Sequence, residues 1–256
     1  MKRGCYITAS FGYKKPRRGV MDTFLFDLDG TLLPMDQEYF TRVYFKGIAK
    51  KLIPYGFEEK TLINTINEGV MAMILNDGTI TNEERFWTTI IKFHGEEIRD
   101  LEPVFLDYYN NEFQDAKVST SVHPLVKESI LQLKKKGYRI ILATNPLFPP
   151  LATHKRIKWA GLEPEDFELV TTFDNSSYCK PNIKYYQEIL SRQGLSSSQC
   201  LMVGNNVKED MIATTIGIEG FLVTDCLINP DGVDISKYRN GSINDLFEYI
   251  KELPHV

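Results

Sequence analysis

The segment Phe24-Leu25-Phe26-Asp27-Leu28-Asp29-Gly30-Thr31-Leu32 carries the chain's clearest chemical potential, because an apolar run of strand length leads straight into two acids and a glycine turn. In doubly wound parallel sheets, ligands bind outside the carboxyl ends of the strands. Asp27 and Asp29 would stand at such an end, two positions apart. Carboxylates held there call for a counter-charge or a metal ion, since burying them without partners is costly. The competing reading is an Asp-Gly turn with no chemistry, and D-x-D alone does not separate the two.

Composition narrows what these acids could serve. The 256 residues are 43% hydrophobic and 25% charged, which suits one large α/β domain, or a core with a smaller module, and does not suit a disordered chain. Residues 1–20 hold Lys2, Arg3, Lys14, Lys15, Arg17 and Arg18 and no acid, so the remaining 24 bases and 34 acids leave a body of charge −10. An acidic body argues against nucleic acid as a partner, because phosphate backbones are bound through Lys and Arg. The basic leader of residues 1–20 reads as a disordered extension, or as the product of a start placed upstream of Met21. The longest apolar runs are too short to span a bilayer and the basic leader has no apolar signal core, so no membrane partner and a cytoplasmic location are expected. Cys5, Cys179, Cys200 and Cys226 show no C-x-x-C spacing and read as free thiols. Asn240-Gly241 reads as a turn.

The elements that would position Asp27 and Asp29 follow from alternation along the chain. Short apolar runs at Thr23–Phe26, Arg139–Ala143, Leu169–Phe173, Cys200–Val203 and Gly220–Val223 predict strands covered on both faces. Between them, helices are predicted from His123-Pro124 to a stop at Gly137, over about 183–192 ending at Gly194, over about 208–216 ending at Gly217, and after the N-cap Ser242 through 246–250. This is an α/β pattern. Residues 34–122 break it, with several amphipathic helical stripes and no convincing strand. They form a separate helical module, in which Tyr39, Phe40, Tyr44, Trp87 and Tyr108 are candidates to line a pocket, with packing as the competing role. His94, His123 and His154 accompany no catalytic signature.

Asp27-Leu28-Asp29-Gly30-Thr31 at the end of the first strand resembles the first motif of the haloacid dehalogenase (HAD) superfamily. Three later stretches resemble the family's other motifs in order: Leu142-Ala143-Thr144-Asn145 at the end of the second strand, Cys179-Lys180-Pro181-Asn182 before a helix, and Gly204-Asn205-Asn206-Val207-Lys208-Glu209-Asp210 after the fourth. The resemblance covers roughly residues 21 to 251. It implies a Rossmannoid parallel sheet flanked by helices, built from residues 21–33 and 123–256, and a helical C1-type cap at residues 34–122.

The resemblance also assigns roles. Asp27 would attack phosphorus, Asp29 would act as acid and then base, and Thr144 and Lys180 would bind and neutralise the phosphoryl group. Leu28, Gly30, Thr31 and Asn145 would contact substrate, through loop amides in the case of the Leu28–Thr31 turn. Asp27, Asp29, Asn205 and Asp210 would hold Mg²⁺, a hard cation that prefers oxygen ligands. The implied activity is that of a Mg²⁺-dependent phosphatase acting on a small phosphorylated metabolite, and the acid at position 29 favours phosphate over dehalogenase chemistry. The departure lies in the fourth motif, where Asn205 and Asn206 stand in the region of the family's first acid. An amide brings no negative charge, so weak metal binding is expected, and a HAD-like binding or regulatory protein is the alternative reading.

Overall fold

The computed structural model describes residues 20–256, so all but the last residue of the expected leader lies outside the described residues. Among the described residues, six strands build one sheet: β1 (Thr23–Phe26), β2 (Arg139–Leu142), β3 (Leu169–Val170), β4 (Cys200–Gly204), β5 (Glu219–Val223) and β6 (Arg239–Gly241), ordered β3-β2-β1-β4-β5-β6. Every neighbouring pair is parallel. Phe26 of β1 pairs with Leu142 on one side and Val203 on the other. The three central strands therefore end together, and the order reverses at β1, where α/β sheets place their ligand crevice.

Strand alternation builds the core. Phe24, Phe26, Ile140, Leu142, Leu201 and Val203 join the apolar cluster on one face, while Leu25, Ile141 and Met202 join Tyr185, Tyr186 and Ile189 on the other. Helices cover both faces and connect the strands: α1 (Gln37–Leu52), α2 (Glu59–Ile74), α3 (Asn82–His94) and α4 (Glu102–Asn110) lie between β1 and β2, followed by α5 (Pro124–Lys136), α6 (Pro150–Trp159), α7 (Ile183–Gln193) and α8 (Ile243–Glu252). Local chemistry sets their ends. Asp36 accepts from the Tyr39 amide at 2.9 Å to start α1, and Thr81 with Glu84 forms a capping box at α3. Pro124 opens α5, and Gly137 closes it in the left-handed region.

Several elements differ from the expectation, each for a local reason. Strand β3 stops at Val170, because the Asn175 side chain closes a turn on the Thr172 amide and the Val170 carbonyl, both at 2.9 Å. The expected helix over 208–216 is a turn followed by a short 3-10 helix, Met211–Ile216; the Asn206 side chain accepts the Lys208 and Glu209 amides, and Asp210 accepts the Asn206 amide. Asn240 and Gly241 lie in β6, an edge strand, and not in a turn. Helix α6 was not expected from the sequence: its apolar stripe is weak, and Pro150 occupies a first-turn position where the missing N–H is harmless.

Leu25 is fully buried between β2 and β4 on the α7 side of the sheet. Leu25→Ala is expected to cost about 2–5 kcal/mol through the cavity left behind, read as a lower urea midpoint with an unchanged slope.

Candidate active site

The site begins where β1 runs out. The Asp27 amide donates to Val203 O at 2.9 Å, extending the ladder by one residue and fixing the Asp27 side chain at the strand end. The chain then turns at Gly30, whose φ of +84° favours glycine and whose position leaves no room for a Cβ against the Asn205 side chain. Closing this turn uses the Gly30 amide on Leu33 O (2.8 Å) and the Thr31 amide on Leu28 O (3.1 Å), so these two loop amides are already engaged. Leu28 itself is fully buried and belongs to the core. The Thr31 hydroxyl lies 3.2 Å from Asp27 Oδ2 and 3.0 Å from Asn205 Oδ1, tying the ends of β1 and β4 together.

Lys180 supplies the charge that this end of the sheet lacks. Its Nζ donates to Asp27 Oδ1 at 2.8 Å and to Asp210 Oδ1 at 2.7 Å, and the residue is 1% exposed. Burial opposes its charge, but Asp210 and Asp27 raise its pKa well above the ordinary lysine value. Asn145, expected to touch substrate, lines the cavity and also braces the neighbourhood: its Oδ1 accepts from the Lys180 amide at 3.2 Å, and its Nδ2 donates to Glu209 Oε2 at 3.1 Å. Asp210, expected among the metal ligands, has both oxygens occupied, one by Lys180 and the other by the Asn206 amide at 2.9 Å. Close packing requires Gly204 here, since a Cβ would strike the Asp210 carboxyl.

Asp29 is paired with Arg156 of α6, a residue that the sequence reading missed because its helix went unrecognised. The guanidinium is 1% exposed and lies 4.3 Å from the centre of the Phe148 ring. Burial raises the Asp29 pKa, Arg156 pulls it back, and Asp27 pushes it up again, leaving it above the usual carboxylate value. Only one Asp29 oxygen is engaged; Oδ1 is buried without a partner. Thr144 is buried at the end of β2 and lines the same cavity as Asp27 and Asp29.

The two asparagines of the fourth motif separate cleanly. Asn205 turns its Oδ1 toward Thr31 and Asp27, whereas Asn206 Oδ1 accepts the Lys208 and Glu209 amides at 3.0 and 3.1 Å. Among the described residues, no three His, Cys, Asp or Glu side chains converge as a metal centre. Asp27 Oδ2 and Asn205 Oδ1 share the Thr31 hydroxyl as a common neighbour, and Asp27, Asn205 and Asp29, with its unpartnered Oδ1, line the same cavity. All are hard donors, and so few carboxylates fit Mg²⁺, which keeps waters and shares its ligation with substrate phosphate.

A cavity of about 370 Å³ opens from this floor toward α1–α4. The model of the haloacid dehalogenase-like hydrolases matches residues 21–214, which include all of these groups. The chain belongs to that family. Within it, a glyceraldehyde 3-phosphate phosphatase from Methanothermobacter thermautotrophicus is 28% identical over 134 residues, spanning 52% of this chain and 57% of that protein. A phosphoglycolate phosphatase from Colwellia psychrerythraea is 23% identical over 79% of this chain and 84% of that one. The crystal structure of a HAD phosphatase from Thermococcus onnurineus shares the fold, with a TM-score of 0.58 at 19% identity, covering 92% of this chain and 100% of the other. This HAD-like hydrolase thus stands among proteins named as phosphatases. Among its described residues, no helix is long and apolar enough to cross a membrane.

Replacing Lys180 in this HAD-like hydrolase would leave Asp27 and Asp210 facing each other unpaired. Lys180→Met is expected to lower stability by about 3–5 kcal/mol, seen as a reduced urea midpoint at neutral pH.

Proposed function

We propose that this HAD-like hydrolase is a Mg²⁺-dependent phosphatase that hydrolyses small phosphorylated compounds through an aspartyl-phosphate on Asp27. The observation that carries this reading is the unequal state of the two Asp27 oxygens, one held by buried Lys180 and the other bonded only to the Thr31 hydroxyl at the cavity floor. A carboxylate fixed in this way is oriented for in-line attack and pays little further ordering entropy.

In the first half-reaction an Asp27 oxygen bonds to phosphorus while the ester P–O bond breaks, and Asp29 gives its proton to the leaving oxygen. Asp29 then takes a proton from water as that water attacks phosphorus, releasing inorganic phosphate and restoring the Asp27 carboxylate. Its raised pKa suits this alternation, and Arg156 positions it by holding the second oxygen. Thr144 lines the cavity where the transferred group would sit, and Lys180, held behind Asp27, offsets its charge. Asp27, Asp29 and Asn205 would hold the Mg²⁺, which when bound supplies positive charge to the phosphoryl oxygens. Asp210 serves chiefly to anchor Lys180. Residues 34–122 would act as the cap that closes over this floor.

The test is phosphate release from a panel of phosphate esters across a Mg²⁺ titration. Asp27→Asn is expected to reduce release to the blank while leaving thermal unfolding cooperative; release by that variant at the wild-type rate would overturn the mechanism. Asn205→Asp adds a negative ligand at the metal position and is expected to lower the Mg²⁺ concentration for half-maximal activity by about 10-fold. Absence of release at every Mg²⁺ concentration would favour the alternative of a HAD-like binding protein.

A further inference from the structure

The cavity above the catalytic floor has a lining that restricts what it can accept. Its walls are aromatic and aliphatic, with Phe40, Tyr44, Phe86, Trp87, Phe105 and Phe148 contributing rings from both the helical insertion and the sheet domain. The charged residues that line it are Asp27, Asp29, Glu102, Glu209 and Asp210, all acids. Among the described residues, no Lys, Arg or His lines it. Two cations behind the floor are already engaged, Lys180 being buried against Asp27 and Asp210 and Arg156 against Asp29. Arg42 is exposed, over the Tyr39 ring, on a surface depression that shares Gln37, Thr41 and Phe45 with the cavity. Arg99 lies over the Trp87 ring, 3.9 Å from Glu102, with half of its side chain exposed and outside the lining.

Inside the cavity a substrate carrying a second anion would meet acids, rings and the neutral groups of Gln37, Thr41 and Asn67, with no cation to offset its charge, and an unpaired buried charge costs several kcal/mol. An apolar group meets the opposite situation, because each ring it covers removes apolar surface from water. At about 370 Å³ the cavity is in the range that encloses drug-sized ligands, far beyond what a two-carbon acid fills. Apart from Glu102, the polar groups that α1–α4 contribute to the wall are neutral. The Tyr44 and Tyr109 hydroxyls bond each other at 3.0 Å, and burial keeps both in the phenol form.

We infer that the substrate of this site is a phosphate monoester of a large apolar alcohol, aromatic or hydrocarbon, with no second negative charge on the leaving group. The inference rests on the phosphatase reading for turnover and departs from the acidic substrate named for the phosphoglycolate phosphatase relative. Hydrolysis of such an ester consumes water and yields the free alcohol and inorganic phosphate, so the reaction that supplies the substrate must phosphorylate an apolar alcohol.

The test compares naphthyl phosphate and geranyl phosphate with phosphoglycolate and pyrophosphate, using the full chain with Mg²⁺. Either apolar ester is expected to exceed both anionic compounds by about 100-fold in kcat/KM, the aryl and branched-chain arms showing which apolar class is preferred. Trp87→Ala is expected to narrow that ratio by raising KM for the apolar ester. Calorimetric binding to Asp27→Asn provides a readout independent of turnover. Tighter binding of phosphoglycolate or pyrophosphate than of both apolar esters would overturn the inference whether or not the wild type is active. A retained apolar preference in binding, with no release from any ester, would uphold the pocket assignment and overturn the phosphatase reading alone.

Discussion

The ammonium of Lys180, set between the carboxylates of Asp27 and Asp210, is the interaction on which this molecule's functional end depends. Parallel strands ending together bring acids from β1 and from the loop after β4 into one small volume, where like charges and desolvation both oppose their ionised forms. One buried cation between them resolves the conflict. The surrounding structure holds that cation still: Asn145 takes the Lys180 amide, the Tyr185 hydroxyl donates to Thr144 O at 2.8 Å, and the Tyr186 hydroxyl donates to Glu209 O at 2.8 Å. Two adjacent tyrosines of α7 thereby tie the loops after β2 and β4 to the helix that follows Lys180.

A second buried pair, Arg156 with Asp29, extends the same logic toward the cavity. It leaves one oxygen of Asp29 without a partner and one oxygen of Asp27 lightly held, so the floor is charge-compensated below and reactive above. The walls contrast with the floor. Apolar packing runs without a break from the sheet through Phe148 to Tyr44 and Phe40, and Phe113 stacks on Trp159 of α6 with ring centres 5.0 Å apart. The start of α3 is fastened from the other side, where Asn82 and Glu83 amides donate to Ser176 O and Phe173 O, each at 2.8 Å. Floor and walls are in this way held by one continuous set of contacts, and the character of the walls bears directly on what can reach Asp27.

The local pattern of residues determined much of this. Short, almost wholly apolar runs marked β1, β2, β4 and β5, and the acids after β1, Thr144 after β2 and Lys180 before α7 were legible through their motifs, because strand pattern, turn chemistry and motif are each written within a few consecutive residues. The helices α5, α7 and α8 were equally legible from Pro, Gly and Ser at their ends. Tertiary structure decided the rest. Asn205 rather than Asn206 faces Asp27, since side-chain capping of the next turn commits Asn206. Arg156 reaches Asp29 across 127 positions from a helix with too weak an apolar stripe to be recognised. Phe40, Tyr44 and Trp87 line the cavity while Tyr39 and Tyr108 do not, although all five were equal candidates within the helical module. Spacing establishes that a side chain lies on an apolar face; whether that face meets another helix or an open cavity depends on how distant segments pack, and no short stretch of sequence contains that information.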